Sequence, residues 1–145
     1  MATAFWTRLG SRVCCVTALT LSLVAVQATA GSSCWDMDGA TLRLSVEGAD
    51  RVLRYQGPPS VLVDLGIERG ALLFRGRETD GALQGTAHAI SPPCPEAEVT
   101  YPVEGQVHAS RNRITLRGLR PLLSACRPDG SVAAETLVLV RKLGC

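Results

Sequence analysis

The sequence predicts an all-β protein, a small antiparallel barrel or sandwich of about eight strands that is stapled by disulfides. Three observations carry this reading. Apolar and polar residues alternate with a period of two through much of residues 31–145, as half-buried strands require. Turn signals built on Gly, Pro, Asn and Asp recur about every 8–12 residues, the spacing of a sandwich or barrel. Cys34, Cys94, Cys126 and Cys145 are spread through the same region with no Cys-x-x-Cys pair among them, which favours a disulfide framework over a zinc site.

In residues 41–47, Leu42, Leu44 and Val46 share one face while Arg43, Ser45 and Glu47 share the other. Gly48-Ala49-Asp50 turns the chain, and residues 51–55 (RVLRY) return. Gly57-Pro58-Pro59 breaks the pattern, because proline has no N–H for a ladder. Residues 60–67 (SVLVDLGI) read as a short strand or an extended crossing, closed by Glu68-Arg69-Gly70. Residues 71–76 and 82–90 flank Glu78-Thr79-Asp80-Gly81. Asp-Gly between two apolar runs marks a hairpin, since glycine takes positive φ without steric cost. Ser91-Pro92-Pro93-Cys94-Pro95 predicts a rigid loop. Residues 99–109 alternate Val103, Gly105 and Val107 against Glu104, Gln106 and His108, and Arg111-Asn112-Arg113 turns into residues 114–118. Pro121 to Ala125 read as one helical turn in a loop that continues through Cys126-Arg127-Pro128-Asp129-Gly130. Residues 135–143 (ETLVLVRKL) are the last strand.

A short apolar-x-Gly pattern recurs at Gly57, Gly76, Gly85, Gly105 and Gly118. Glycine inside a strand costs roughly 0.5–1 kcal/mol relative to alanine. It marks a place where the sheet bends sharply or another backbone comes close. A phosphate-cradling loop needs its glycines clustered between a strand and a helix, whereas these are dispersed among strands. They serve shape.

Residues 1–30 read as a secretory signal peptide, with Arg8 and Arg12 as the only charges, then an uncharged run from Val13, then Ala28-Thr29-Ala30 before a cut at Gly31. The rival is a retained anchor, since the uncharged run is near the ~18-residue lower limit for spanning a bilayer. A lipoprotein cut before Cys34 lacks the usual apolar residue at Gly31. Without Arg8 and Arg12 the 15 basic residues become 13, against 13 acidic ones. A neutral domain has no clustered basic face for nucleic acid. The expected place is periplasmic or secreted, with no attachment to a membrane once the signal is cut.

Four cysteines allow three pairings. The favoured one joins Cys94 to Cys126 and Cys34 to Cys145, because Cys34 begins the exported domain, Cys145 ends it, and domain termini commonly lie close together. Neither metal nor cofactor is expected. His88 and His108 offer the cysteines no local zinc chelate, and both histidines read as solvent-facing strand residues. Ser91, Ser110 and Ser124 stand in no nucleophile motif. The carboxylate pairs Asp36/Asp38, Asp64/Glu68 and Glu96/Glu98 read as loop or solvent-face residues, and Arg51, Arg54, Arg75 and Arg77 as a solvated face.

The run Trp35-Asp36-Met37-Asp38-Gly39, then Gly70-Ala71-Leu72-Leu73-Phe74-Arg75-Gly76, Gly85-Thr86-Ala87, Cys94, Tyr101-Pro102-Val103-Glu104-Gly105 and Cys126 resembles a group of small exported bacterial all-β proteins. The resemblance covers nearly all of residues 31–145. It implies pairing of Cys94 with Cys126 and a module also found attached to larger exported proteins, some peptidase-like. It carries no chemical motif and no established activity.

Two functions are therefore expected. One is a non-catalytic accessory or binding module of the bacterial envelope with an envelope or exported protein partner; the other is a small periplasmic inhibitor of a protease or lysozyme. Trp35 is the candidate aromatic contact, unless its ring plugs a barrel end. Pro58, Pro59, Pro92 and Pro93 would preorganise protruding segments. A lipocalin-like cavity is a third option, but the 4% aromatic content points to a thin, filled core. The sequence gives no oligomeric state.

Overall fold

The structure, a computed structural model, describes residues 30–145. The signal peptide expected over residues 1–30 lies outside the described residues, Ala30 excepted. Eight strands follow: β1 (Ala30–Met37), β2 (Ala40–Glu47), β3 (Asp50–Gly57), β4 (Leu72–Thr79), β5 (Ala82–Ser91), β6 (Cys94–Val107), β7 (Arg113–Ser124) and β8 (Arg127–Lys142). One short helix, α1 (Ser60–Val63), lies between β3 and β4. The strands close an antiparallel barrel in chain order, with β8 hydrogen-bonded to β1.

The expected strand number is met through two offsetting differences. β1 has little apolar alternation, yet it pairs with β2 along its whole length, from Ala30↔Glu47 to Met37↔Ala40. Its turn, Asp38-Gly39, takes φ values of 49° and 84°, the positive pair of a tight hairpin. The Asp80-Gly81 turn does the same at 52° and 83°.

Residues 60–67, by contrast, form no strand. Pro59 accepts from Leu62 N at 2.9 Å and Val63 N at 3.1 Å, starting a single helical turn. Val61 and Val63 remain exposed, while Ile67 is buried and Leu62 packs against the core. The apolar residues of this excursion thus cover a barrel end.

The expected helical turn at Pro121–Ala125 is also absent. β7 and β8 pair down to Ser124↔Arg127, across a turn in which Ala125 and Cys126 have φ of 48° and 59°. The expected loop at Ser91–Pro95 is tighter than the sequence suggests: Ser91 pairs with Cys94 around Pro92-Pro93 alone.

An eight-stranded barrel is just wide enough for side chains to fill. Phe74, Leu42, Leu53, Ile114, Leu116 and Leu139 do so, each less than 2% exposed. Arg43, Arg75, Gln84, Glu104 and Arg117 point outward and are exposed. These apolar side chains face in and these polar ones out, although Leu119 of β7 and Val132, Val138 and Val140 of β8 are exposed.

Close wall contact explains the in-strand glycines. Gly76 and Gly85 face each other across β4 and β5. A Cβ at Gly76 would overlap the Gln84 carbonyl and sit 2.5 Å from the Phe74 ring. One at Gly105 would overlap the Thr115 carbonyl and sit 2.8 Å from Leu116 Cα. Gly57 differs, since its nearest neighbour would be 3.5 Å away, and it ends a strand.

Both favoured disulfides are present, Cys34–Cys145 and Cys94–Cys126, each with Cα atoms 5.4 Å apart. Their loops span 111 and 32 residues. Chain-entropy ceilings are about 4.8 and about 3.7 kcal/mol.

Two outcomes follow for urea unfolding. Gly105→Ala should lower stability by about 2–4 kcal/mol, because a strand backbone must move, whereas Gly144→Ala, with open space around it, should stay within about 0.5 kcal/mol. Replacing Cys94 and Cys126 together by serine should cost no more than about 3.7 kcal/mol and leave the far-ultraviolet strand signal in place.

Candidate functional site

The two barrel ends differ. One carries the turns after β2, β4 and β6, and it is shut by side chains. Arg51 lies on the inner face of β3 with Leu53 and Tyr55. Its Nε donates to Glu78 Oε2 at 2.8 Å, with the two side chains only 13% and 9% exposed. The same guanidinium donates to the carbonyls of Gly48 at 2.7 Å and Asp50 at 2.8 Å. A buried ion pair is tolerated better where further hydrogen bonds satisfy its donors, as these two carbonyls do for Arg51. Arg51 is therefore no part of a solvated face.

Trp35 closes the same region. It is 2% exposed, and its Nε1 donates to Ser33 Oγ at 2.8 Å. A buried ring with its one polar atom satisfied has nothing to offer a partner, so Trp35 is a plug and not a contact residue. His108 lies at this end, 3.1 Å from Thr115 Oγ1.

The other end carries the β1–β2 turn, the excursion 58–71, and the turns at Pro92-Pro93 and Ala125-Cys126. Here the ladders stop early. β4 and β5 part beyond Phe74↔Ala87, although β5 continues with β6 to Ser91↔Cys94. β6 and β7 part beyond Val103↔Gly118. Pro102 and Pro121 stand near that point with no N–H to extend a ladder. The β5–β6 and β7–β8 hairpins thus run on as two separate ribbons. Cys94–Cys126 ties one ribbon's turn to the other's, with Pro92 and Pro93 exposed beside it. Pro58 and Pro59 are half-buried and lead into α1, so their visible job is to start that helix.

A polar cluster sits below the ribbons. Tyr101, 3% exposed, donates its hydroxyl to Glu135 Oε2. Arg120 Nε, itself buried, makes a charge contact with the same oxygen at 3.3 Å, outside hydrogen-bond geometry. Burial, then the Glu135 hydrogen bond and charge, push the Tyr101 hydroxyl well above its ordinary value. Burial and the Glu135 charge also raise Tyr55. Both phenols are held toward the neutral form, and the Tyr101 hydroxyl and Arg120 anchor the Glu135 carboxylate.

A groove of about 320 Å³ opens where β4 and β5 part. Tyr55, Ile67, Leu72 and Ile90 give it apolar walls, and Glu96, Glu98 and His88 a polar rim. His88 Nδ1 lies 2.5 Å from Glu98 Oε1, with the Glu98 side chain 66% exposed. His88 does face outward, as its alternation implies, but it belongs to this groove. Glu96 and Glu98, read from sequence as ordinary solvent-face residues, supply the groove's charge. The sequence signal for them is their spacing of two, which puts both on one face of a strand.

Among the described residues, no group of three or more His, Cys, Asp or Glu is placed to hold a metal ion. No protein-family model, curated protein or solved structure matches the chain.

Tyr101 gives a pH signature. Its hydroxyl ionises at higher pH folded than its ordinary 10.0, so the unfolded chain loses that proton first. The stabilisation is complete below about pH 10 and falls as pH rises toward the folded value. Tyr101→Phe should cost about 1.5–3 kcal/mol at neutral pH, the range for a hydrogen bond to a charged group. Urea titrations should also show a shallower alkaline decline than in the parent, with the remainder due to Tyr55.

Proposed function

We propose that the chain is an exported, non-catalytic binding module of the bacterial envelope, periplasmic or secreted, that engages another exported protein through its open barrel end. One observation carries this reading: the interior is filled and one end is shut, while the other end keeps unpaired strand edges beside a groove with apolar walls. Two disulfides support export, since such bonds persist in oxidising compartments. Among the described residues no helix is long and apolar enough to cross a membrane, and Arg43, Arg75, Glu104 and Arg117 on the outer wall favour water around that part of the barrel.

A second reading, inhibition of a protease or lysozyme, is favoured by the Pro92-Pro93 tip. It is exposed, two residues long, and held at its base by Cys94–Cys126. Such a segment enters a cleft with little conformational entropy left to lose.

Immobilised oxidised protein, incubated with envelope extract, should retain a partner that is released when the open end is blocked by a bulky group at residue 90. Stoichiometric loss of activity across a panel of proteases and lysozymes would move the assignment to the inhibitor.

A further inference from the structure

His88, Ala89 and Ile90 are consecutive in β5, and all three line the groove. Successive strand side chains point to opposite faces, so a surface that meets three in a row meets the strand along its edge. On that side β5 has no strand neighbour past Ala87, while its other side stays paired with β6. None of the described backbone hydrogen bonds outside the ladders involves residues 88–91. A free row of N–H and C=O groups is a template for one more strand.

The walls restrict what that strand carries. Tyr55, Ile67 and Leu72 leave room for an apolar side chain, and Glu96 and Glu98 stand on the rim without any Lys or Arg among the lining residues. His88 engages one oxygen of Glu98, which leaves the other oxygen and the Glu96 carboxylate facing outward. A cationic side chain gains from both; an acidic one meets like charge.

We propose that this groove captures an extended segment of a partner polypeptide, paired to the His88–Ser91 edge, with an apolar side chain between Ile67 and Leu72 and a Lys or Arg against Glu96 and Glu98. The proposal rests on the binding-module reading and specifies the partner's chemistry.

The test uses the oxidised full chain and fluorescence anisotropy with three labelled peptides. They are Thr-Lys-Val-Lys-Val-Thr, the same peptide with Glu for each Lys, and the Lys peptide N-methylated at alternate backbone nitrogens. The Lys peptide should bind, and the other two should bind about 10-fold more weakly or worse, a difference of about 1.4 kcal/mol. Glu96→Gln with Glu98→Gln should weaken the Lys peptide about 10-fold and move the urea midpoint only slightly, because both side chains are exposed and an amide oxygen at residue 98 still accepts a hydrogen bond from His88. Equal binding of the Lys and Glu peptides, indifference to N-methylation, or no binding of the Lys peptide at about 1 mM would overturn the proposal. An envelope protein still captured by the doubly substituted chain would overturn it too, and would leave the binding-module reading standing.

Discussion

Closure of the barrel is the constraint on which the rest depends. Seven of its seams join neighbours in sequence, and the eighth must join the first strand to the last. That seam is short, running only from Cys34↔Lys142 to Asp36↔Val140. Cys34–Cys145 fastens it covalently. Lys142 Nζ adds a hydrogen bond to Thr41 Oγ1 at 3.0 Å and lies 3.9 Å from Asp36 Oδ2. Closing eight strands leaves a narrow interior, and filling it with Phe74 and the leucines brings the walls into contact. Only glycine at positions 76, 85, 105 and 118 lets neighbouring backbones come that near.

Closure is complete at one end and partial at the other. At the shut end Arg51 and Glu78 lie inside the barrel, each charge matched by the other, and the Arg51 guanidinium also donates to two backbone carbonyls. At the open end the β4–β5 and β6–β7 ladders break off, and the hairpins continue as ribbons. Two-stranded ribbons are marginal alone. Cys94–Cys126 joins them at their turns, and the anchored Glu135 ties Tyr101 on one to Arg120 on the other. The strand edges left over are the kind that proteins ordinarily cover or charge. Here a proline-started excursion covers part of them, and Glu96 and Glu98 charge the rim.

How far the sequence could be read depended on where the deciding contact lay. The hairpin at Asp80-Gly81 was legible because its signal is local. Asp38-Gly39 carries the same signal, but β1 beside it lacks alternation, and its strand state comes from pairing with β2. Residues 60–67 look apolar enough for a strand, yet their one proline-started turn serves to set Ile67 into the barrel mouth. The turn at Ala125-Cys126 has no local signature at all, for neither residue favours positive φ. Of the groove, only the outward placing of His88, Glu96 and Glu98 could be inferred.

Period-two alternation, dispersed glycines and four well-separated cysteines determined an all-β, disulfide-stapled chain, because each reflects a property of the single strand or the single residue. The tertiary structure alone decided that Trp35 and Arg51 point inward, that the ladders break near Pro102 and Ala87, and that a strand edge is left beside two carboxylates. Those features depend on register between strands distant in sequence, and a one-residue shift in register would turn every side chain to the opposite face.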